Sequence, residues 1–245
     1  MSHAWLHVDP LPGADEGVTL DAEEARHAGS ARRLTTGDPV TLFDGRGGLA
    51  HAVLDEGTTR KRVSVRVSRV EALPAPRPAL RLGTALPKGD RQATLVSMAT
   101  QLGLAAWAPL HCERSVARPG RNADERWRRV AIAACKQSRN ARLPELLPEA
   151  TPARFADAEA RRGACFVLHP GAGARPIAEA AREALTGAPA SLAVVVGPEG
   201  GLEEEEVRAC EARGAVRVSL GETILRTETA AVAALAVLRS LAALS

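Results

Sequence analysis

The chain contains no tyrosine, and three tryptophans with three phenylalanines bring its aromatic content to only 2%. Reading nucleic-acid bases with rows of stacked rings is therefore not expected. Four cysteines, Cys112, Cys135, Cys165 and Cys210, stand far apart with no CxxC pair. They support neither a zinc site nor a disulfide framework and suit a reducing cytosol, so no metal is expected. No apolar run reaches membrane-spanning length; the alanine-rich C-terminus comes nearest, and Arg239 interrupts it. The opening M-S-H-A-W-L-H-V-D-P lacks a basic segment ahead of an apolar core, so no signal peptide is expected and the location expected is the cytoplasm. No G-x-x-x-x-G-K-[ST] occurs. Gly171-Ala172-Gly173 follows an apolar run, but Pro176 stands where G-x-G-x-x-G would need its third glycine. Cys165 near His169, and Cys112 beside His111, show no arrangement that would activate a thiol.

What is present is a folded composition. The 245 residues are 45% apolar and 25% charged, with a formal charge of +3, enough for one large domain or two smaller ones. Residues 3–70 alternate short strand signals with turns. Strands are expected at Trp5–Val8, Val40–Phe43, Leu49–Leu54 and around Val63, Val65 and Val67, with a short helix capped by Asp21. That pattern favours a small β-barrel or sandwich. Arg32 and Arg33 are adjacent, and Arg60, Lys61, Arg62, Arg66 and Arg69 fall together with no acid among them. Charge leaves two readings open, a solvated strand face or a phosphate-contacting one.

Three alternating prolines, Pro74, Pro76 and Pro78, then mark a linker, placing a first domain at 1–73, a linker at 74–78 and a second domain at 79–245. Beyond the linker, strands and helices alternate. Strands are expected at 80–86, 105–110, 165–168, 194–196 and 216–220. Helices are expected from 91 through Leu102, at 124–137, at 177–185, from Glu203 onward and at 227–244. This is the pattern of a mostly parallel sheet covered on both faces, with ligands at the carboxyl ends of its strands.

One stretch organises the rest: Val194, Val195 and Val196 break at Gly197-Pro198-Glu199-Gly200-Gly201, and Glu203 to Glu206 open a helix. Glycines ahead of a helix let the backbone approach a ligand. The acids suit the helix dipole and repel phosphate, so the turn is expected to hold a ligand that is not strongly anionic. A second stretch leaves the 216–220 strand through Gly221, presents Ile224 and Leu225, and enters a helix with Arg226, Thr227, Glu228 and Thr229. Capping does not account for R-T-E-T. An arginine followed by a glutamate there offers a charge for a substrate and a partner to orient it.

Together V-G-P-E-G-G-L at 196–202 and L-G-E-T-I-L-R-T-E-T-A at 220–230 closely resemble the RsmE family of ribosomal RNA methyltransferases, within the SPOUT superfamily. A-L-P-K-G-D-R at 85–91, Gln101-Leu102-Gly103, E-R-S-V at 113–116 and K-Q-S-R-N-A-R-L-P at 136–144 extend the resemblance. Arg33, Gly37-Asp38 and L-F-D-G at 42–45 resemble the family's PUA-like barrel. The chain departs from the family pattern at Gly171, where an acid commonly follows His-Pro. It departs again at Glu222-Thr223, where Pro-Arg is frequent, and at Lys136, where Glu is common.

The resemblance implies an α/β chain with an N-terminal PUA-like β-barrel and a C-terminal SPOUT domain carrying a deep trefoil knot. It implies transfer of a methyl group from S-adenosylmethionine to N3 of a uridine in 16S ribosomal RNA of the small subunit. The donor would sit against Leu168, His169, Val196, Gly197, Glu199, Gly200, Gly201, Leu220, Gly221, Ile224 and Leu225. Arg226 would stabilise charge developing on the uracil, and Glu228 would orient it or act as a base through water. RNA would be held by Arg33, Arg60, Lys61, Arg62, Lys88, Arg91, Arg114, Arg139 and Arg142, and the protein would work as a homodimer. Two other readings of the same resemblance are a non-catalytic RNA-binding assembly factor and a SPOUT enzyme acting on another RNA.

Overall fold

A computed structural model describes residues 4–20, 24, 35–56, 58 and 63–244. Two compact units emerge: residues 1–75 with 132–143, and residues 76–131 with 144–245.

The first unit carries β1 (Ala4–His7), β2 (Gly17–Thr19), β3 (Pro39–Phe43), β4 (Gly48–Leu54) and β5 (Ser64–Ala72), in the sheet order β1-β3-β4-β5-β2. β1 runs parallel to β3, and the remaining pairs are antiparallel. Alternation buries Val65 and Val67 while Arg66 faces outward, and Leu6, Val40, Leu42, Ala50 and Leu54 complete that core. Of the short helix expected after Asp21, Glu24 is described and helical, and the remaining residues lie outside the described ones.

The single division at 74–78 does not describe residues 132–143. Cys135, Ala141 and Leu143 pack against Phe43, Leu49 and Trp5 of the first unit, so apolar burial draws this segment back across the sequence. Lys136, where the family commonly has an acid, forms a buried ion pair with Glu24. An acid at 136 would face Glu24 with like charge, so the departure is matched by its partner.

The second unit holds seven parallel strands in the order β10-β12-β9-β11-β6-β7-β8. These are β6 (Ala79–Ala85), β7 (Leu104–Leu110), β8 (Glu145–Leu146), β9 (Ala164–Leu168), β10 (Arg175–Pro176), β11 (Ser191–Val196) and β12 (Val216–Ser219). The helices are α1 (Arg91–Gln101), α2 (Ala123–Ser138, whose residues from 132 on belong to the first unit), α3 (Pro152–Ala160), α4 (Ile177–Leu185), α5 (Glu204–Glu211) and α6 (Thr227–Ala242). All six residues of β11 are buried, as a strand covered on both faces requires.

The apolar periods predicted most of these elements to within a residue or two. They did not predict α3, the two-residue strands or β2. Thr151 caps α3 by accepting from Arg154 N, with Pro152 in its first turn, and Glu159 on its buried face pairs with Arg81 Nε of β6 at 2.6 Å. No described helix is long and apolar enough to cross a membrane.

Candidate functional site

Three neighbouring strands, β12, β9 and β11, end side by side, and the loops leaving their carboxyl ends enclose a cavity of about 240 Å³. Open parallel sheets bind ligands at this position. From the β9 exit come Leu168 and His169. From the β11 exit come Val196, Gly197, Glu199, Gly200 and Gly201. From the β12 exit come Leu220, Gly221, Ile224 and Leu225. The structure thus brings together all eleven residues singled out for the donor. Pro170, Pro198, Leu202, Ser219, Thr223, Thr227 and Ala230 complete the lining.

Each loop is shaped by local chemistry. After β11 the turn closes through Gly201 N donating to Pro198 O at 2.8 Å, and Gly201 takes φ +74°, a region that favours glycine. A Cβ on Gly197 would lie 2.8 Å from Leu202 Cγ, so the chain can pass there only without a side chain. After β12, Ser219 Oγ accepts from Gly221 N at 3.0 Å and donates to Gly221 O at 2.9 Å. After β9, Gly171 takes φ +146°, where an acidic side chain would be strained; the departure from the family pattern matches its backbone.

The glutamates after the glycine turn form a scaffold. Glu203 and Glu206 make a capping box at the start of α5. Glu206 also accepts from Glu113 N at 3.1 Å. Arg114 donates through Nη1 to Gly200 O at 2.7 Å and through Nε to Glu203 at 2.6 Å, so E-R-S-V at 113–116 clamps the glycine turn from outside. Arg217 hydrogen-bonds both Glu204 and Glu211, and its guanidinium holds the Glu204 carboxyl below the usual carboxylate range. His169 Nε2 lies 3.8 Å from Glu204. The expected repulsion of anions by bare acids is therefore corrected: Glu203 and Glu204 are each matched by an arginine.

At the other side of the turn, Arg91 stands at the start of α1. Its Nη2 is 3.3 Å from Glu199 Oε1 and its Nη1 is 3.6 Å from Glu228 Oε1. Thr227 Oγ1 donates to Gly197 O at 3.2 Å, tying the first turn of α6 to the glycine turn. Within R-T-E-T, Thr227 thus bonds across space, and Glu228 lies beside Arg91. Arg226 precedes α6, is exposed, and has no side-chain partner among the described residues; it does not line the cavity.

The residues expected to hold RNA are dispersed. Arg33, Arg60, Lys61 and Arg62 lie outside the described residues. Lys88 is exposed in the turn after β6, and Arg139 is exposed beyond α2. Arg142 is occupied within the first unit, donating to the carbonyls of Arg46 and Leu73. Arg66 and Arg69, grouped in the sequence with no acid, pair in space with Asp55 at 2.8 Å and Glu71 at 3.1 Å.

All four cysteines are buried. Burial pushes the Cys112, Cys135 and Cys210 thiols up to about 12 and raises Cys165 further, so none is poised as a nucleophile. Among the described residues no cluster of His, Cys, Asp and Glu could hold a metal.

The chain matches the model of an RNA methyltransferase domain over residues 74–239 and that of an RNA methyltransferase PUA domain over 20–68. It is 37% identical over 238 residues to ribosomal RNA small subunit methyltransferase E of Mycobacterium bovis, covering 94% of this chain and 88% of that one. The enzyme of the same name from Synechocystis is 33% identical, covering 96% and 77%. Among solved structures, a Legionella pneumophila protein in complex with the bound cofactor SAM superposes with a TM-score of 0.83 at 28% identity, covering 98% of both chains. With a cavity at three strand ends, a family model matched over residues 74–239 and a relative 37% identical across 94% of this chain, the chain belongs to the ribosomal RNA small subunit methyltransferase E family.

Proposed function

We propose that the protein transfers a methyl group from S-adenosylmethionine to N3 of a uridine in small-subunit ribosomal RNA. The observation that carries the reading is the convergence of three loops, carrying the two signature stretches, on one cavity. The lining fits such a donor, which has an apolar-faced adenine and no phosphate. Leu168, Val196, Leu202, Leu220 and Leu225 supply apolar wall, no lysine or arginine lines the cavity, and Ile224 at its edge is 92% exposed. So large an uncovered aliphatic side chain beside a cavity is what a ligand would cover.

When bound, the donor supplies an electrophilic methyl group. The chain's own residues do the rest. The clamped glycine turn fixes one wall of the pocket in place before binding, which lowers the ordering cost. Arg226, exposed beside the pocket loop and without a side-chain partner among the described residues, is the guanidinium that meets negative charge developing on the uracil oxygens. Glu228 stands one helical step further in.

The domain reading is a PUA-like barrel over 1–73, a linker at 74–78 and a SPOUT domain over 79–245, with residues 132–143 returned to the first unit. A trefoil knot is supported by β11 pairing between β6 and β9, and by α6 returning from β12 to pack on α1, β6 and β11. The barrel holds RNA through the basic residues Arg33, Arg60, Lys61 and Arg62. The protein acts as a homodimer in the cytoplasm on RNA of the small subunit, and partly exposed Val232 and Val237 of α6 are available to the partner. Calorimetric titration with S-adenosylmethionine tests the pocket. Mass mapping of methylated nucleotides in ribosomal RNA from a deletion strain tests the reaction. Donor binding with no missing N3-methyluridine in that strain would replace this substrate by another RNA.

A further inference from the structure

Arg91 and Glu228 meet behind Glu199 and Thr227, two residues that line the cavity, with much of their hydrogen-bonding capacity unspent. Arg91 contacts Glu228 Oε1 at 3.6 Å and Glu199 Oε1 at 3.3 Å. Charge-assisted hydrogen bonds close to about 2.7–2.9 Å, so both contacts are loose. The second carboxylate oxygen, Glu228 Oε2, is buried and has no partner among the described residues. A buried acceptor without a donor opposes folding, so its retention calls for a partner that arrives with the substrate. Glu199 lines the cavity and holds the arginine from the side of the glycine turn.

A guanidinium beside a carboxylate presents a donor next to an acceptor. The pairing edge of uracil presents the complement, an N3–H donor flanked by two carbonyl acceptors. Cytosine presents an acceptor at N3 and an amino donor beside it, which would set a lone pair against the carboxylate and N–H against N–H. Resting on the reading that a uridine N3 is the methyl acceptor, we infer that Arg91 and Glu228 read the uracil edge. Glu228 Oε2 accepts the N3 proton and Arg91 donates to the neighbouring carbonyl oxygen. The bookkeeping closes without another reactant. The N3–H electron pair becomes the N–CH₃ bond, the proton goes to Glu228 Oε2, and the sulfonium leaves as a neutral thioether. Arg91 is thereby moved from holding RNA phosphate to holding the base. The charged groups in contact with Glu228 and its partner come from two other elements, Arg91 on α1 and Glu199 on the glycine turn.

The test uses full-length Glu228→Gln and Arg91→Lys with small subunits from a deletion strain, following donor affinity by calorimetry, single-turnover methylation across pH, and melting temperature as a folding control. The glutamine variant should bind donor within about twofold of wild type and methylate at least ~100-fold more slowly at neutral pH. Its rate should then climb about tenfold per pH unit as alkali ionises the uracil itself, while the wild-type profile flattens. Arg91→Lys, which keeps the charge and loses the fork, should fall between the two. The inference is overturned by a Glu228→Gln enzyme with wild-type rate or a wild-type pH profile. It is equally overturned if donor affinity and rate fall together, which would make the pair a structural strut. A wild-type enzyme that binds no donor, or leaves uridines unmodified, removes the underlying reading and this inference with it. A normal wild type beside an unaffected variant removes the inference and spares that reading.

Discussion

Replacing Arg114 by alanine separates two tasks, the grip on RNA that the resemblance implied and the shaping of the pocket that its contacts support. The guanidinium donates to Gly200 O at 2.7 Å and to Glu203 Oε1 at 2.6 Å, tying the glycine turn to the start of α5. A hydrogen bond from a charged donor to a carbonyl is worth about 1.5 kcal/mol. The Glu203 pair, whose partners are 49% and 42% exposed, is screened and adds only about 0.5 kcal/mol. Removing both loosens Gly200 and Gly201 by about 2 kcal/mol. If all of that loss falls on the bound state, donor affinity drops about thirtyfold; if a quarter does, the drop is about twofold. The assay is calorimetric titration of S-adenosylmethionine into Arg114→Ala without RNA, with Arg114→Lys as comparison because lysine keeps the charge and cannot make the two-pronged contact. Unchanged donor affinity together with weaker, less salt-dependent RNA binding would refute the clamp and return Arg114 to the phosphate-contacting set.

Four further outcomes are expected. Arg226→Ala should bind the donor normally and lose about 10²–10³ in methylation rate, as removal of a charge-stabilising donor does; normal methylation in an RNA assay would remove its role. Gly163→Ala would place a Cβ 2.2 Å from Ser191 O, a backbone atom at the start of β11, and should cost about 1–3 kcal/mol, seen as a Tm lowered by several degrees. The buried thiols of Cys112, Cys135 and Cys210 sit at about 12 when folded against about 8.5 unfolded, so the folded state binds more protons between those values. Stability should therefore fall as pH rises from about 8.5 toward 12, and a denaturant midpoint unchanged between neutral and alkaline solution would contradict it. RNA affinity should fall steeply with salt, and removing Arg60 and Arg62 together should reduce the log–log slope by about two; an unchanged slope would take residues 60–62 out of the interface.

The sheet and the cavity were legible because both depend on short-range pattern. Val194 to Val196 have nowhere to go but the middle of a parallel sheet, and a glycine turn before an acidic helix start marks where that strand delivers its loop. The eleven lining residues follow from that geometry plus the resemblance. What sequence could not supply was partnership across space. Arg66 looked unpaired because Asp55, just past the end of β4, meets it only once the sheet register is set, whereas Glu71 reaches Arg69 from two residues along β5 itself. Residues 132–137 read as the end of one helix, and nothing in the period there says that Cys135 and Ala141 pack beneath Phe43. The α3 helix did carry signals, a threonine cap, a proline in the first turn and Gly163 beyond its end, but it is short and sits between prolines that read as loop.

The glycine turn also changes meaning once its neighbours are known. The four glutamates suggested exclusion of phosphate by charge, yet arginines drawn from three separate places answer the acids of this region. Arg91 of α1 meets Glu199, Arg114 from the segment after β7 meets Glu203, and Arg217 of β12 meets Glu204. With charge balanced so closely, bulk repulsion cannot select the ligand. Selection falls instead to the lining, which has apolar walls and no lysine or arginine to grip a phosphate. The same pairing explains why the acids are there. Each arginine that fixes a wall of the pocket would otherwise point a bare cation toward it, and a sulfonium donor would be repelled by such a cation.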